Sequence, residues 1–398
     1  MKVSWLLAGN IIYAFSQWLI LLILSNNYST ESVGEYFFAL ALIAPIVLFV
    51  SLKLSNLVVT LKKDDTEKEN VYSFRNILDV LVFFLVFILY FMFFKDNTSI
   101  YVLVSVLIYK ILEQRDDLAI AYHQRDLKFR EIFYLKFFRS IFYTLSIFLF
   151  SLYFNSIDKL IIFATLVYFL YWIVRNKKNL HIFKLDLNKV KIYIESGLSL
   201  STSSSISSLN ISGVRMYIGY VLGSSSLAIY GIISYSLTVF LILVSAISQY
   251  FLPIFVNNSK DHKKFKYQLH KAQVLIFSLC AFFIIISYLF GNSLLSFFYG
   301  DNYKKYGIML CLIFIAILFK SLSSILGTAM TSLRIYNFQL KYTVISLFLT
   351  ILSTPFLVEK YEILGAFFSL ILVNFIEWLF YLYFANRNFN KVIGNSSF

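Results

Sequence analysis

With 398 residues, 59% of them apolar and 14% charged, and a mean hydropathy of +0.76, this chain falls outside the range of soluble enzymes, where about 25% of residues are charged. The same composition, with 3 Pro, 13 Gly and 2 Cys, excludes a disordered, collagen-like or disulfide-stapled protein. Lys and Arg number 35 against 21 Asp and Glu. In a membrane chain that excess reflects basic connections held on the cytoplasmic side, so no nucleic-acid partner is expected.

An apolar run of about 20 residues crosses about 30 Å of hydrocarbon as a helix. Twelve such runs are predicted in chain order, at residues 5–24, 33–58, 75–94, 99–121, 136–154, 159–175, 194–220, 227–256, 272–291, 307–329, 339–358 and 362–384. The first is too long for the apolar core of a signal peptide and lacks a small-x-small cleavage site, so it is expected to stay as a span. With residue 1 inside, alternate connections place 25 of the 35 basic residues on the inner side and 5 on the outer side. That asymmetry predicts an even number of spans with both termini cytoplasmic. Pro45, Pro253 and Pro355 are expected to kink the second, eighth and eleventh spans. The longest outer connection, Asn292–Tyr306, has no His or Arg and is too short for a catalytic domain.

The basic stretch 177–193 divides the chain into residues 1–176 and 194–398, each with six predicted spans. Between the first two spans stands STESVGEYFFALALIAP (Ser29–Pro45), and between the seventh and eighth stands GSSSLAIYGIISYSLTV (Gly223–Val239). Tyr36 falls over Tyr230, Val33 over Leu227 and Gly34 over Ala228, an offset of 194 residues. A second pairing sets LIYKIL over ILFKSL and Lys110 over Lys320. The prediction is an all-α polytopic membrane protein of 12 helices in two pseudo-symmetric six-helix bundles around a central cavity.

Five cations lie at membrane depth: Lys53, Lys110, Arg115, Arg215 and Lys320. Glu113, Asp116, Asp117 and Glu377 are the acids there. A charge at a helix centre costs roughly 2.5–3.5 kcal/mol on the insertion scale, so these groups face one another or water. At 100° per residue, Lys110, Glu113, Gln114, Asp117 and Gln124 share one face of the fourth span, while Arg115 and Asp116 leave it. That face either lines a wet cavity or forms an internal ion-pair cluster. Ser196, Ser199, Ser203, Ser207 and Asn210 form a stripe on the seventh span. It provides either a close-packing surface or a hydrogen-bonding wall. Arg215 has no acid within a turn and either meets an anion or snorkels outward. Asn10, Tyr13 and Gln17 make a short polar stripe on the first span. Cys280 and Cys311 read as small buried hydrophobes. No metal-ligand cluster, catalytic triad or P-loop is found, so no cofactor is expected.

The segments ESVGEYFFALALIAP, LGSSSLAIYGIISYS, GNSLLSFFYGDNYKKYG (291–307) and YEILGAFFSLILVNFIEWLFYLYF (361–384) resemble polysaccharide flippases. These form the Wzx-like branch of the multidrug, oligosaccharidyl-lipid and polysaccharide exporter superfamily. The resemblance implies a non-enzymatic transporter of the bacterial cytoplasmic (inner) membrane. Its cargo would be an undecaprenyl-diphosphate-linked oligosaccharide, flipped to the outer leaflet by alternating access with proton or cation exchange. The polysaccharide polymerase machinery is a further implied partner. Lys53, Lys110, Arg215 and Lys320 are the residues that would meet the diphosphate. Ser203, Ser207 and Asn210 would meet the sugars, and Glu113, Asp117 and Glu377 would carry the coupling ion. The alternatives are a multidrug exporter of the same fold and, more remotely, a membrane polymerase or ligase.

Overall fold

A computed structural model describes residues 2–61, 64–176, 185–259, 261–333 and 337–394. The helices are α1 (Lys2–Asn27), α2 (Thr30–Val50), α3 (Leu54–Thr60), α4 (Lys68–Leu89, continued by a π turn Tyr90–Phe94), α5 (Ile100–Arg125), α6 (Phe129–Ser151), α7 (Ile157–Asn176), α8 (Leu187–Val221), α9 (Ser224–Asn257), α10 (His262–Tyr299), α11 (Gly307–Ser332) and α12 (Asn337–Gly394). There is no strand among the described residues. Polar side chains cap several of the starts. Ser29 accepts from the Ser32 amide, Ser99 from Tyr101, Asp186 from Asn188 and Asp261 from Lys264, each meeting a donor that the first helical turn leaves unpaired. At Asp261, outside the membrane-spanning stretches, that amide hydrogen bond holds the carboxyl below its ordinary range.

Nine stretches among the described residues are long and apolar enough to cross a membrane. The last, Lys341–Ala385, is two helices rather than one, because α12 breaks at Glu362 (φ 51°, ψ −132°). α5 and α8 fall short of that hydropathy, α5 through its charges and α8 through its serines. Chain contacts gather into two compact units, Met1–Ala228 and Ile229–Phe398. In the first, α1 packs on α6, α2 on α8, and α5 touches α2, α3, α6 and α7. In the second, α10 packs on α11 and α11 on α12. Phe240 of α9 is wedged edge-on against Phe283 and Phe314 there.

Four expectations change in detail. The second predicted span does not run unbroken through 33–58 with its bend at Pro45. It breaks at Leu52 and Lys53, two consecutive non-glycine residues in the left-handed region (φ 46° and 49°). Each costs roughly 1–2 kcal/mol and persists only under tertiary constraint. The constraint is visible at Gly197 of α8, where a Cβ would stand 2.2 Å from the Leu52 carbonyl oxygen. Residues 187–193 of the expected linker are the opening turns of α8, and 177–184 lie outside the described residues. The connection expected over Asn292–Tyr306 is mostly helical. α10 continues to Tyr299, Asp301–Tyr306 forms a 3-10 turn, and Asn292 accepts from the Gly307 amide to start α11. Finally, Arg75 and Arg139, counted with the inner connections, are buried in α4 and α6. The repeat at offset 194 is repeated in the helix starts, Thr30 and Ser224. Val33, Tyr36, Leu227, Ala228 and Tyr230 are all buried.

The turn within α12 depends on one small residue. A Cβ at Gly365 would sit 1.9 Å from the Leu357 carbonyl oxygen. Gly365→Ala is therefore expected to lower stability by about 1–3 kcal/mol, read as a drop in unfolding temperature in detergent. A wild-type temperature would mean that the two arms do not meet there.

Candidate functional site

α5 is the hub of the first unit because its polar groups leave the helix in three directions. Toward α1 and α6, Lys110 Nζ donates to Glu113 Oε2 at 2.7 Å, and the Tyr13 hydroxyl donates to Glu113 Oε1. Arg139 of α6, 3% exposed, reaches Asp117 Oδ1 at 2.9 Å and stands 4.0 Å from Glu113 Oε1. Its guanidinium lies 4.5 Å from the Tyr13 ring centroid, within cation–π range. Gln17 donates to the Tyr109 hydroxyl at 3.3 Å and Lys136 donates to Asn10. The polar stripe expected on the first span is thus the α1 wall of this network. Tyr109 in turn stacks on Tyr143 of α6 with centroids 3.9 Å apart.

The two charges that leave the main face of α5 find other helices. Arg115 donates to Asp79 Oδ2 at 2.6 Å and to Asn76 at 2.7 Å on α4, and Arg75 shares Asp79 at 2.7 Å. Asp116 pairs with Arg175 of α7 and accepts from the Tyr168 hydroxyl and from Trp172 Nε1 at 3.1 Å. The i, i+3 and i, i+4 column of Lys110, Glu113 and Asp117 is thus tied to α6 through Arg139. Its Lys110 and Asp117 side chains remain partly open, at 22% and 40% exposure.

The second unit holds a separate polar cavity of about 400 Å³ between α9, α11 and α12. Lys320 Nζ of α11 donates to both Glu377 carboxylate oxygens, at 2.9 and 2.7 Å. Both line the cavity, and with Glu377 7% and Lys320 37% exposed at their side chains, the lysine is the more open of the two. Hydroxyl and amide groups complete the wall, among them Ser245, Ser248, Gln249, Ser324, Thr328 and Thr331. On α11, positions 320, 324, 328 and 331 recur at helical spacing and share one face. That column is present in the sequence but gives no warning, because each residue is individually compatible with a membrane helix. The α9 residues carry no such signal beside an acid or base. Asn374, one turn before Glu377, donates to the Ala316 carbonyl at 3.2 Å and fixes α12 against α11.

The remaining predicted residues are dispersed. Lys53 stands at the strained start of α3, in the left-handed conformation. Arg215 of α8 lies 5.6 Å from the Phe37 ring centroid of α2. The buried serines of α8 include Ser201 and Ser205, and Ser205 donates to the Pro45 carbonyl at 2.9 Å. Ser203, Ser207 and Asn210 lie on the opposite face, with Ser203 and Asn210 half-buried and Ser207 exposed. The stripe predicted from the sequence is thus not the face that packs on α2. Cys280 and Cys311 are free and buried. No cluster of three or more His, Cys, Asp or Glu able to hold a metal occurs among the described residues.

A family model described as "Polysaccharide biosynthesis protein" matches residues 28–308. The chain is 27% identical to the capsular polysaccharide biosynthesis protein CapF of Staphylococcus aureus, over 97% of this chain and 99% of that protein. It is 27% identical to a protein named as a putative O-antigen transporter in Shigella flexneri, over 43% of this chain and 41% of that one. Among solved structures, the lipid II flippase MurJ in an inward closed conformation aligns with a TM-score of 0.73 at 14% identity, over 99% of this chain and 90% of that one. An inward-facing multidrug resistance MATE family transporter of the MOP superfamily aligns with a TM-score of 0.70 at 13% identity, over 100% and 96%.

Proposed function

The chain belongs to the polysaccharide biosynthesis protein family, as a multi-pass membrane transporter and not an enzyme, and we propose that it flips an undecaprenyl-diphosphate-linked oligosaccharide from the cytoplasmic to the outer leaflet. Twelve spans result when α5, α8 and both arms of α12 are counted with the other apolar stretches. The two six-span halves then rock in alternating access, with both termini cytoplasmic.

The observation that carries this reading is the Lys320–Glu377 pair opening on a hydroxyl-lined cavity. A diphosphate is a stronger acceptor for an ammonium than a single carboxylate, because its charge is higher and spread over more oxygens. The arriving cargo takes Lys320 from Glu377, and Glu377 exchanges its lysine for a proton or cation. Sugar hydroxyls replace water along Ser324, Thr328 and Thr331. Lys110 and Glu113 form the matching pair of the first half, with Asp117 beside them and Lys53 and Arg215 as further cations for the diphosphate. Ser203, Ser207 and Asn210 offer a second row of sugar contacts. In a drug exporter, organic cations would call for an uncompensated acid, whereas both glutamates here already hold a lysine.

The test is the leaflet distribution of the lipid-linked oligosaccharide in a strain lacking the gene, read with an impermeant glycosidase on intact spheroplasts. Accumulation on the inner leaflet with loss of surface polysaccharide is expected. Normal distribution in a strain without a second flippase would overturn the reading in favour of drug export.

A further inference from the structure

α4 packs mainly against α2, and α7 against α5 and α6. The interval between α4 and α7, floored by α5, is a groove of about 1000 Å³ with an almost wholly apolar lining. It runs along α5 from Tyr101 to Arg115, about 20 Å at 1.5 Å per residue. One leaflet of hydrocarbon is about 15 Å deep, so the groove has the length of a single lipid chain.

The two ends of the groove differ. At the Tyr101 end the wall is apolar and exposed. At the other end Arg115, Asn76 and Asp79 line it, with Trp172 beside them. Asp79 is shared by Arg115 and Arg75, and Asp116 is taken by Arg175. Three guanidiniums therefore face two carboxylates, and this end keeps one positive charge in excess. Arg115 is the member that opens on the groove, at 18% exposure. An apolar channel of one-leaflet length ending in a partly exposed, undercompensated guanidinium is complementary to an acyl chain with a phosphate at its head.

We propose that this groove is a binding site for an anionic phospholipid drawn from the leaflet on the side of the α5–α6 connection. One acyl chain lies between α4 and α7, and the phosphate accepts from Arg115. The bound lipid completes the charge balance of the Arg75–Asp79–Arg115 cluster and fixes α4 against α5 and α7. The site is distinct from both Lys–Glu pairs and holds whatever the cargo is.

The test uses the full chain with Trp5, Trp18 and Trp378 changed to Phe, leaving Trp172 as the reporter. It is placed in phosphatidylcholine nanodiscs containing brominated phosphatidylglycerol or brominated phosphatidylcholine. Half-quenching is expected at an about fivefold lower mole fraction of phosphatidylglycerol, the worth of one cation near a membrane surface. In Arg115→Gln the two quenching curves should coincide. Coincident curves with Arg115 present would mean ordinary surrounding lipid and overturn the proposal. Displacement of the phosphatidylglycerol by an equimolar polyprenyl diphosphate would assign the groove to the cargo's tail, which also overturns it. Should the triple-Phe background not fold, native mass spectrometry of the unmodified chain decides the same question. Retained phosphatidylglycerol that falls in Arg115→Gln supports the site, and equal retention overturns it. Neither readout depends on transport, so failure here leaves the flippase reading untouched.

Discussion

Lys320→Ala is expected to abolish export of surface polysaccharide in a deletion strain complemented with the variant. The mutation has two effects that must be separated. It removes the cation that faces the polar cavity, and it leaves the buried Glu377 carboxylate without the ammonium that neutralises it. Breaking a buried pair in this way costs about 3–5 kcal/mol, enough to reduce the amount of protein in the membrane. The double variant Lys320→Ala/Glu377→Gln leaves no buried charge behind and should recover membrane abundance. If the pair only orders helices, export returns with abundance. If the lysine meets the cargo or the glutamate carries the coupling ion, the double variant is abundant and inactive, and Glu377→Gln alone, with Lys320 kept, separates the two roles. Full export by the double variant would sink the proposed role. Lys110→Ala is the cleaner companion, because Glu113 keeps Tyr13 and Arg139 when Lys110 is lost. It should lower export at unchanged abundance, and Lys110→Arg should retain part of it.

Arg139→Met should have the largest effect on stability. Arg139 is almost fully buried and is the group through which α6 is tied to Glu113, Asp117 and Tyr13. Without it two carboxylates share a site in which Lys110 is left as the paired cation. The loss is expected to be about 3–5 kcal/mol, seen as depleted membrane protein and a lower unfolding temperature in detergent. Asp117→Asn in the same chain should recover part of the loss by removing one of the stranded charges. Wild-type abundance and unfolding temperature in Arg139→Met would show that the cluster does not hold α1, α5 and α6 together.

The sequence is informative where the signal is local. Spacing alone places Lys110, Glu113 and Asp117 on one helical face. It also sets Arg115 and Asp116 off that face, because a helix rotates by a fixed angle per residue. What each charge meets is not readable. Arg139 looks like one more basic residue at the inner end of a predicted span, yet it is 22 residues from Asp117 and 26 from the Glu113 carbonyl it reaches across helices. Lys320 and Glu377 both stand out in the sequence, but as a phosphate ligand and an ion carrier rather than as one pair 57 residues apart. The serine stripe of α8 does not by itself tell which face packs on α2, because serines stand on both faces. Only packing against α2 selects Ser201 and Ser205 for burial.

Composition and apolar run length by themselves determined that this is a helical membrane protein, where its helices fall, and that charge lies at membrane depth. Hydrocarbon sorts residues by transfer free energy along the chain, with no reference to what lies beside them. Tertiary structure alone decided the pairing of those charges, the break at Leu52–Lys53 under the close approach of Gly197, and the groove between α4 and α7. Each depends on the contact of segments far apart in sequence, and no periodicity within one helix records its neighbour.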